Sequence, residues 1–218
     1  MSVIIAKKTK NGFIMAGDSQ ATLGTQRFSV TKIFKAKGED ELYIGGVGTL
    51  RDINILTTIT NLIDLNAIRR ETFDVSSIIS YTIPTLQKAL KEHGRLITDR
   101  DGSLCWGSSV LICYKDKAFE ISSFFEVTEI SNFAAIGSPQ DFAYGAYSVL
   151  NKFDLGKLKL NDYNLVKEIM KMCIEETIHV FYPILIIDTS KDKDFTRIDG
   201  EIHETEIKVK NEKEKENE

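Results

Sequence analysis

Apolar positions in the first fifty residues fall into four short runs, at residues 3–6, 13–16, 30–34 and 42–44. Runs of this length bounded by polar or glycine-containing segments are typical of β-strands. An Asn11-Gly12 pair lies between the first two runs and favours a tight hairpin turn. The four runs therefore predict an antiparallel meander of two hairpins.

A helical period replaces the strand period after residue 48. Thr49, with Asp52 three residues later, predicts a capping box, and the apolar stripe behind it predicts a helix that continues to Asn66. A second helix is expected from Asp74, a favourable N-cap, to a stop at Gly94. Pro84 lies inside this pattern and should kink the helix.

The second half of the chain repeats this order. After a polar loop at 95–107, strands are expected at 109–114, 118–122 and 132–136, then helices from Ser138 to about Leu150 and from Asp162 to Glu176. Strands at 183–187 and 196–208 end the predicted domain, which spans residues 1–209. Residues 210–218 are nearly all Lys and Glu, a composition that cannot bury apolar surface, and predict a disordered tail.

The order of elements predicts an α+β fold, because strands and helices come in blocks instead of alternating singly as in a doubly wound sheet. Two antiparallel sheets packed face to face, each covered outside by helices, would satisfy it as a four-layer αββα sandwich. Sheets covered on both faces also explain why residues 3–5 and 184–187 are continuously apolar. A chain of 218 residues suffices for one such core.

Composition excludes several classes of function. The net charge of −4 provides no basic surface for nucleic acid, and no apolar run is long enough to span a membrane. Three scattered cysteines predict reduced thiols in a cytoplasmic protein. His93, His179 and His203 lack zinc-ligand spacing, and no Walker-type loop is present, so neither a metal nor a cofactor is predicted.

Ser2 is the first candidate for catalysis. If Met1 is removed, Ser2 carries a hydroxyl nucleophile and a free α-amine on the same residue. A serine hydroxyl needs a base to become a good nucleophile. The α-amine, with an ordinary pKa of about 8, is partly neutral near physiological pH and can act as that base.

Three further candidates follow within fifty residues, and each also has a structural interpretation. Asp18 follows a glycine and could be a turn residue. Lys32 interrupts an apolar run and could extend from an edge strand into solvent. Gly48 lies between a strand and a helix and could simply permit a tight turn. Alternatively, the three residues surround Ser2 in one site.

The segment from Gly17 to Gly24, Gly-Asp-Ser-Gln-Ala-Thr-Leu-Gly, together with the order of the candidate residues, resembles the proteasome β-subunit and HslV-like family of N-terminal-nucleophile (Ntn) hydrolases. The resemblance is most specific over residues 2–52 and weakest beyond Glu176, which occupies the region where the family has a supporting Asp.

The resemblance implies a role for each candidate. Ser2 would be the nucleophile, Lys32 would keep the pKa of the amine low, and Asp18 would hold Lys32. Gly48 would donate its N–H to the oxyanion, and Ser138 would form a hydrogen bond near the amine. Ser138 also precedes Pro139 and Asp141, a pattern typical of a helix N-cap.

The same resemblance implies a peptidase that assembles into a homo-oligomeric ring and cleaves unfolded polypeptide supplied by a separate AAA+ ATPase. Two alternatives on the same fold remain open. The chain could be an Ntn amidohydrolase that acts on a small molecule, or a catalytically silent subunit with a role in assembly.

Overall fold

The computed structural model describes residues 2–23, 25–152, 160–178, 180–191 and 194–200, and these contain two five-stranded antiparallel sheets. The first sheet has the strand order β12 (Phe133–Gly137), β1 (Val3–Lys8), β2 (Phe13–Asp18), β13 (Ile184–Asp188) and β14 (Thr196–Ile198). The second has the order β11 (Val127–Glu129), β10 (Lys117–Ile121), β9 (Ser109–Tyr114), β6 (Leu42–Val47) and β5 (Ile33–Lys35).

Helices cover the outer face of each sheet. The helices are α1 (Leu50–Thr58), α2 (Leu65–Arg69), α3 (Val75–Ser77), a π turn (Ile78–Thr82), α4 (Ile83–Glu92), α5 (Gln140–Lys152) and α6 (Asp162–Glu176). Helices α1 to α4 pack on the second sheet, and α5 and α6 pack on the first. A third apolar cluster lies between the two sheets. The predicted four-layer αββα sandwich is confirmed.

Strand β1 shows why its sequence is continuously apolar. Ile4 and Ala6 belong to the cluster between the sheets, whereas Val3 and Ile5 belong to the cluster beneath α5 and α6. All four side chains are fully buried. Because successive side chains in a strand point to opposite faces, a strand that is covered on both sides must be apolar at every position.

The two hairpins predicted at the start of the chain form, but they do not make one meander. Strands β1 and β2 belong to the first sheet, and β5 and β6 belong to the second. An unpredicted hairpin, β3 (Gln20–Leu23) and β4 (Gln26–Ser29), connects them. The chain therefore crosses from one layer to the other between Asp18 and Lys32.

The first helix is shorter than predicted. It ends at Thr58 instead of Asn66, and α2 begins separately at Leu65. The hydroxyls of Thr57 and Thr58 donate to carbonyls within the helix. The β-branched run Thr57-Thr58-Ile59-Thr60 is a poor helix former, and local competition of this kind outweighs the apolar stripe.

The effect of Pro84 takes the form of a π turn. The backbone N–H of Ile83 donates to the carbonyl of Ile78, five residues earlier. Proline supplies no N–H of its own and its ring crowds the preceding turn, so the wider turn just before it accommodates both constraints.

Other boundaries differ little from those predicted. Helix α6 has the predicted bounds, the loop at 95–107 contains the short strands β7 (Ile97–Thr98) and β8 (Leu104–Cys105), and β11 was not predicted. Residues 201–218, including the predicted tail at 210–218 and most of the last predicted strand, lie outside the described residues, as do His179 and His203. None of the described helices could cross a membrane.

Candidate active site

Ser2 directly precedes β1 and is held between two strands. Val3 pairs with Gly137 of β12, and Ile4 pairs with Gly17 of β2. A Cβ at Gly137, whose φ is +108°, would collide with the carbonyl oxygen of Ser2. Glycine at 137 therefore lets the two backbones approach closely. The Ser2 residue is only 7% exposed, and the residue that follows it, Val3, is already paired with β12.

Asp18, the last residue of β2, joins the three parts of the candidate site. Its Oδ1 accepts a hydrogen bond from the backbone N–H of Val3 at 2.9 Å. Its Oδ2 accepts from the Nζ of Lys32 at 2.7 Å and from the backbone N–H of Gln20 at 3.1 Å. One carboxylate thus anchors Val3, the residue next to Ser2, and holds Lys32. The interpretation of Asp18 as a turn residue does not account for these contacts.

Lys32 is buried, so its interpretation as a solvent-directed edge residue is wrong. It is 4% exposed and lies just before β5 of the second sheet, where its carbonyl accepts from Gly46 N–H at 3.0 Å. The ion pair with Asp18 therefore links the two sheets. Burial lowers the pKa of Lys32, and the carboxylate of Asp18 opposes this shift. Burial also raises the pKa of Asp18, against the effect of Lys32.

Gly48 joins β6 to α1 and has a φ of +131°, a conformation that favours glycine. A Cβ at this position would lie 2.5 Å from the carbonyl oxygen of Gly107 and would collide with Ser108. The turn that contains Gly48 and Thr49, called here the Gly48 turn, is therefore packed against Gly107 and Ser108. Glycine is required for this geometry whether or not its N–H acts in catalysis.

We predict that Gly48→Ala lowers the free energy of unfolding by about 3 kcal/mol, since it adds both backbone strain and a steric clash. Urea denaturation would measure the change. Gly102→Ala is the matched control, because Gly102 also has a positive φ, +88°, but no atom lies within 4 Å of an added Cβ. A similar loss in both variants would contradict the steric argument.

Asp52 has a different role from the predicted capping box. Thr49 Oγ1 accepts from the Asp52 N–H at 3.3 Å, so Thr49 is the N-cap as expected. The Asp52 carboxylate, however, accepts from Arg95 Nε at 2.5 Å and from Ser108 Oγ at 2.7 Å. Ser108 Oγ in turn accepts from the Thr49 N–H at 3.2 Å. Arg95 and Ser108 were not predicted, because they are distant in sequence and form no motif with Asp52.

Two cavities meet at Ser2 and Gly48. One, of about 670 Å³, is called here the polar cavity because most of the side chains that line it carry a polar group, among them Ser108, Ser123, Ser138 and Asp141. The other, of about 470 Å³, is lined mainly by apolar side chains, among them Phe28, Val30, Leu50 and Ile53, and also by Lys32. Ser2 and Gly48 line both cavities, so a molecule that extends through them would pass directly over these two residues.

Ser138 lies in the polar cavity beside Ser2. Helix α5 begins at Gln140, which makes Pro139 the residue directly before the helix. The N-cap interpretation of Ser138 is therefore wrong by one position. Glu176 ends α6 and is exposed, and it lines neither cavity. In the part of the chain that the structure describes, no group of His, Cys, Asp or Glu side chains is placed to hold a metal ion.

Comparisons with known proteins place this arrangement in a structural class. No protein-family model and no curated protein matches the chain. Among solved structures, BPH from Thiobacillus denitrificans in complex with epoxomicin is 20% identical with a TM-score of 0.67, covering 87% of this chain and 100% of its own. HslV from Trypanosoma brucei is 19% identical with a TM-score of 0.57, covering 85% of this chain and 97% of its own.

An Anbu (Gly-1) mutant from Hyphomicrobium sp. strain MC1 is 14% identical with a TM-score of 0.63, covering 92% of this chain and 88% of its own. These similarities extend over nearly the whole described domain and agree with its two-sheet, four-layer architecture. The resemblance seen in the sequence is thus confirmed at the level of the fold: the chain has the fold of the proteasome- and HslV-like Ntn hydrolases.

Proposed function

We propose that the chain is a peptidase in which Ser2, after removal of Met1, is the nucleophile and its own α-amine is the base. The observation that carries the proposal is the convergence of two cavities on Ser2 and Gly48, next to a buried Asp18–Lys32 ion pair. A buried ion pair beside a cavity and a nucleophile is a frequent feature of catalytic sites. Asp18 also fixes the backbone of Val3, so the same carboxylate positions the nucleophile and the lysine.

The proposed reaction begins when Ser2 Oγ attacks the carbonyl carbon of the scissile amide and its proton passes to the α-amine. The Gly48 N–H donates a hydrogen bond to the oxyanion, which is typically worth about 3 kcal/mol in the transition state. The protonated α-amine then donates this proton to the leaving amine as the C–N bond breaks, and an ester remains on Ser2. Water then hydrolyses this ester, with the α-amine again accepting a proton.

Lys32 has an electrostatic role in this scheme. Its ammonium lies in the wall of the same cavity as Ser2, and a second cation close by is unfavourable. The positive charge of Lys32 therefore keeps the pKa of the Ser2 amine low enough for the neutral form to accept a proton. Asp18 keeps Lys32 charged and oriented through the 2.7 Å contact. Ser138, which lines the polar cavity together with Ser2, would form a hydrogen bond near the amine in this scheme.

The substrate class that we propose for this site is an extended polypeptide, because the two cavities share Ser2 and Gly48 and could hold several substrate residues. We also propose assembly into a homo-oligomeric ring. Large apolar side chains that are exposed in the single chain, such as Ile79, Val149 and Ile178, would be covered in such an assembly. We further propose that a separate AAA+ ATPase supplies unfolded polypeptide to this assembly and that the protein is cytoplasmic.

The direct experiment is an intact-mass measurement combined with a peptide epoxyketone. We expect the purified protein to lack Met1 and to form a one-to-one adduct at residue 2, because the probe has two electrophilic carbons that can close a ring with a hydroxyl and an amine of one residue. Tandem mass spectrometry would locate the adduct.

The outcomes separate the three candidate functions. Retained Met1 with no adduct would support a catalytically silent subunit. An adduct on a protein that native mass spectrometry shows to be monomeric, and that does not cleave an unstructured protein such as casein, would support a small-molecule amidohydrolase. An adduct at any residue other than Ser2 would overturn the proposed nucleophile.

A further inference from the structure

A polar cluster lies behind the Gly48 turn and includes residues that the proposed reaction does not use. Its carboxylate, Asp52, is fully buried in the first turn of α1. Arg95 approaches it from the segment that follows α4, and Ser108 approaches from the start of the second sheet's central strand β9. Three segments that are remote in sequence thus meet at one side chain.

We propose that Arg95 is a positioning residue for the Gly48 turn, acting through Asp52 and Ser108, and this inference depends on the proposed function. Arg95 Nε donates to Asp52 Oδ1 at 2.5 Å, and its Nη2 reaches Asp52 Oδ2 at 3.2 Å. The same Nη2 donates to Thr49 Oγ1 at 3.1 Å. One guanidinium therefore holds both the carboxylate and the side chain of the turn.

Ser108 completes the connection from the opposite side. Its hydroxyl donates to Asp52 Oδ2 at 2.7 Å and accepts the N–H of Thr49 at 3.2 Å. Because the hydroxyl proton is directed at Asp52, a lone pair is left to fix the Thr49 amide. Ser108 is 3% exposed and packs directly against Gly48. The orientation of the peptide next to Gly48 is thus determined by the Asp52 carboxylate through one hydroxyl.

Stabilisation of the fold does not by itself explain why a charged cluster is buried at this position. A buried carboxylate paired with arginine generally adds little stability compared with apolar side chains of the same size. A planar guanidinium that donates in two directions gives a fixed geometry, which a lysine cannot reproduce. An oxyanion donor requires fixed geometry, since a misplacement of about 1 Å can reduce a rate by about a hundredfold.

Arg51 supplies a matched control. It is adjacent to Asp52 on α1, and its Nη2 donates to the carbonyl of His93 at 2.9 Å, close in sequence to Arg95. It is exposed and has no described contact with Asp52, Thr49 or Ser108. Arg51→Lys therefore changes the same residue type in the same region without changing the contacts of the Gly48 turn.

The experiment compares Arg95→Lys, Ser108→Ala, the double variant and Arg51→Lys with a fluorogenic peptide. We expect kcat to fall about tenfold in Arg95→Lys, a fraction of the loss caused by removing an oxyanion donor, with KM within about twofold. The double variant should be no slower than the slower single variant, because Arg95 and Ser108 both contact Asp52 and Thr49 and so hold the same turn. Arg51→Lys should leave kcat unchanged.

Hydrogen exchange tests the same proposal without activity. The peptide that covers residues 43–56 should exchange faster in Arg95→Lys and in Ser108→Ala, because the Thr49 N–H loses its fixed acceptor. The Arg51→Lys variant should match the wild type. Lysine keeps a cation beside Asp52, so we expect Arg95→Lys to fold, and its melting temperature would verify this.

The cleavage assay and the exchange measurement distinguish a failure of the proposed function from a failure of the role proposed for Arg95. If the wild type cleaves no peptide, the proposed function fails, and exchange still decides whether Arg95 orders the Gly48 turn. If the wild type is active and Arg95→Lys retains full kcat and wild-type exchange, the positioning role of Arg95 is wrong. If the losses of kcat in the two single variants multiply in the double variant, Ser108 acts independently of Arg95, and the proposal that Arg95 acts through Ser108 is wrong.

Discussion

Ser2→Ala should abolish peptide cleavage, with kcat/KM reduced by at least about a thousandfold, while the fold is retained. The change removes the proposed nucleophile and leaves the α-amine in place. Alanine is as small as serine, so removal of Met1 should proceed equally. Because the Ser2 backbone is held by the pairing of β1 with β12, the melting temperature should stay within a few degrees of that of the wild type.

Ser138→Ala is the matched control for this prediction. It removes a hydroxyl from the polar cavity that Ser2 also lines, but not the attacking group. We expect it to slow cleavage much less than Ser2→Ala and to keep adduct formation with the epoxyketone. Turnover of a fluorogenic peptide at the wild-type rate by Ser2→Ala would exclude Ser2 as the nucleophile.

Lys32→Met should move the acidic limb of the pH profile of kcat/KM to higher pH, by about one unit. In the wild type, the cation at position 32 disfavours protonation of the Ser2 amine and so lowers its pKa. In Lys32→Met that cation is absent and the Asp18 carboxylate has lost its partner, so the pKa of the Ser2 amine rises. A smaller fraction of the amine is then neutral at a given pH, and activity should recover as the pH is raised.

The same variant should also lose stability, by roughly 3–5 kcal/mol, because it leaves a buried carboxylate without its partner. The double variant Asp18→Asn/Lys32→Met removes that charge and should regain stability without regaining the wild-type pH profile. Lys7→Met serves as the control, since Lys7 is also buried but contacts the Lys8 carbonyl and Asn132, and its carboxylate partner, Asp162 at 3.7 Å, is exposed, unlike Asp18. An acidic limb that stays in place in Lys32→Met would contradict the electrostatic role of Lys32.

Much of the architecture was predictable because it depends on local periodicity. Strand β9 and helix α6 have the predicted bounds, and the covered sheets follow from strands that are apolar on both faces. The early end of α1 at Thr58 has a local cause, its β-branched residues, and the expected effect of Pro84 is the π turn before α4. The hairpin β3–β4 was missed because each strand has only four residues and because β4, Gln-Arg-Phe-Ser, is exposed and has a single apolar residue, Phe28.

The sequence by itself determined the residue types of the candidate site: a hydroxyl residue behind the initiator methionine, an Asp after a glycine, a lysine in an apolar run and a glycine before a helix. Their order could be recognised because it lies within fifty residues. That Asp18 contacts both Val3 and Lys32 was decided only by the tertiary structure, through the crossing of the chain from one sheet to the other.

The cluster of Asp52, Arg95 and Ser108 was decided only by the tertiary structure as well. Its members come from a helix, a loop and the start of a strand, separated by 43 and 56 positions from Asp52. Hydrogen bonds over such separations depend on how the second sheet and its helices pack. Periodicity reports which face of an element is buried, but it carries no information about which polar side chains meet beneath a turn.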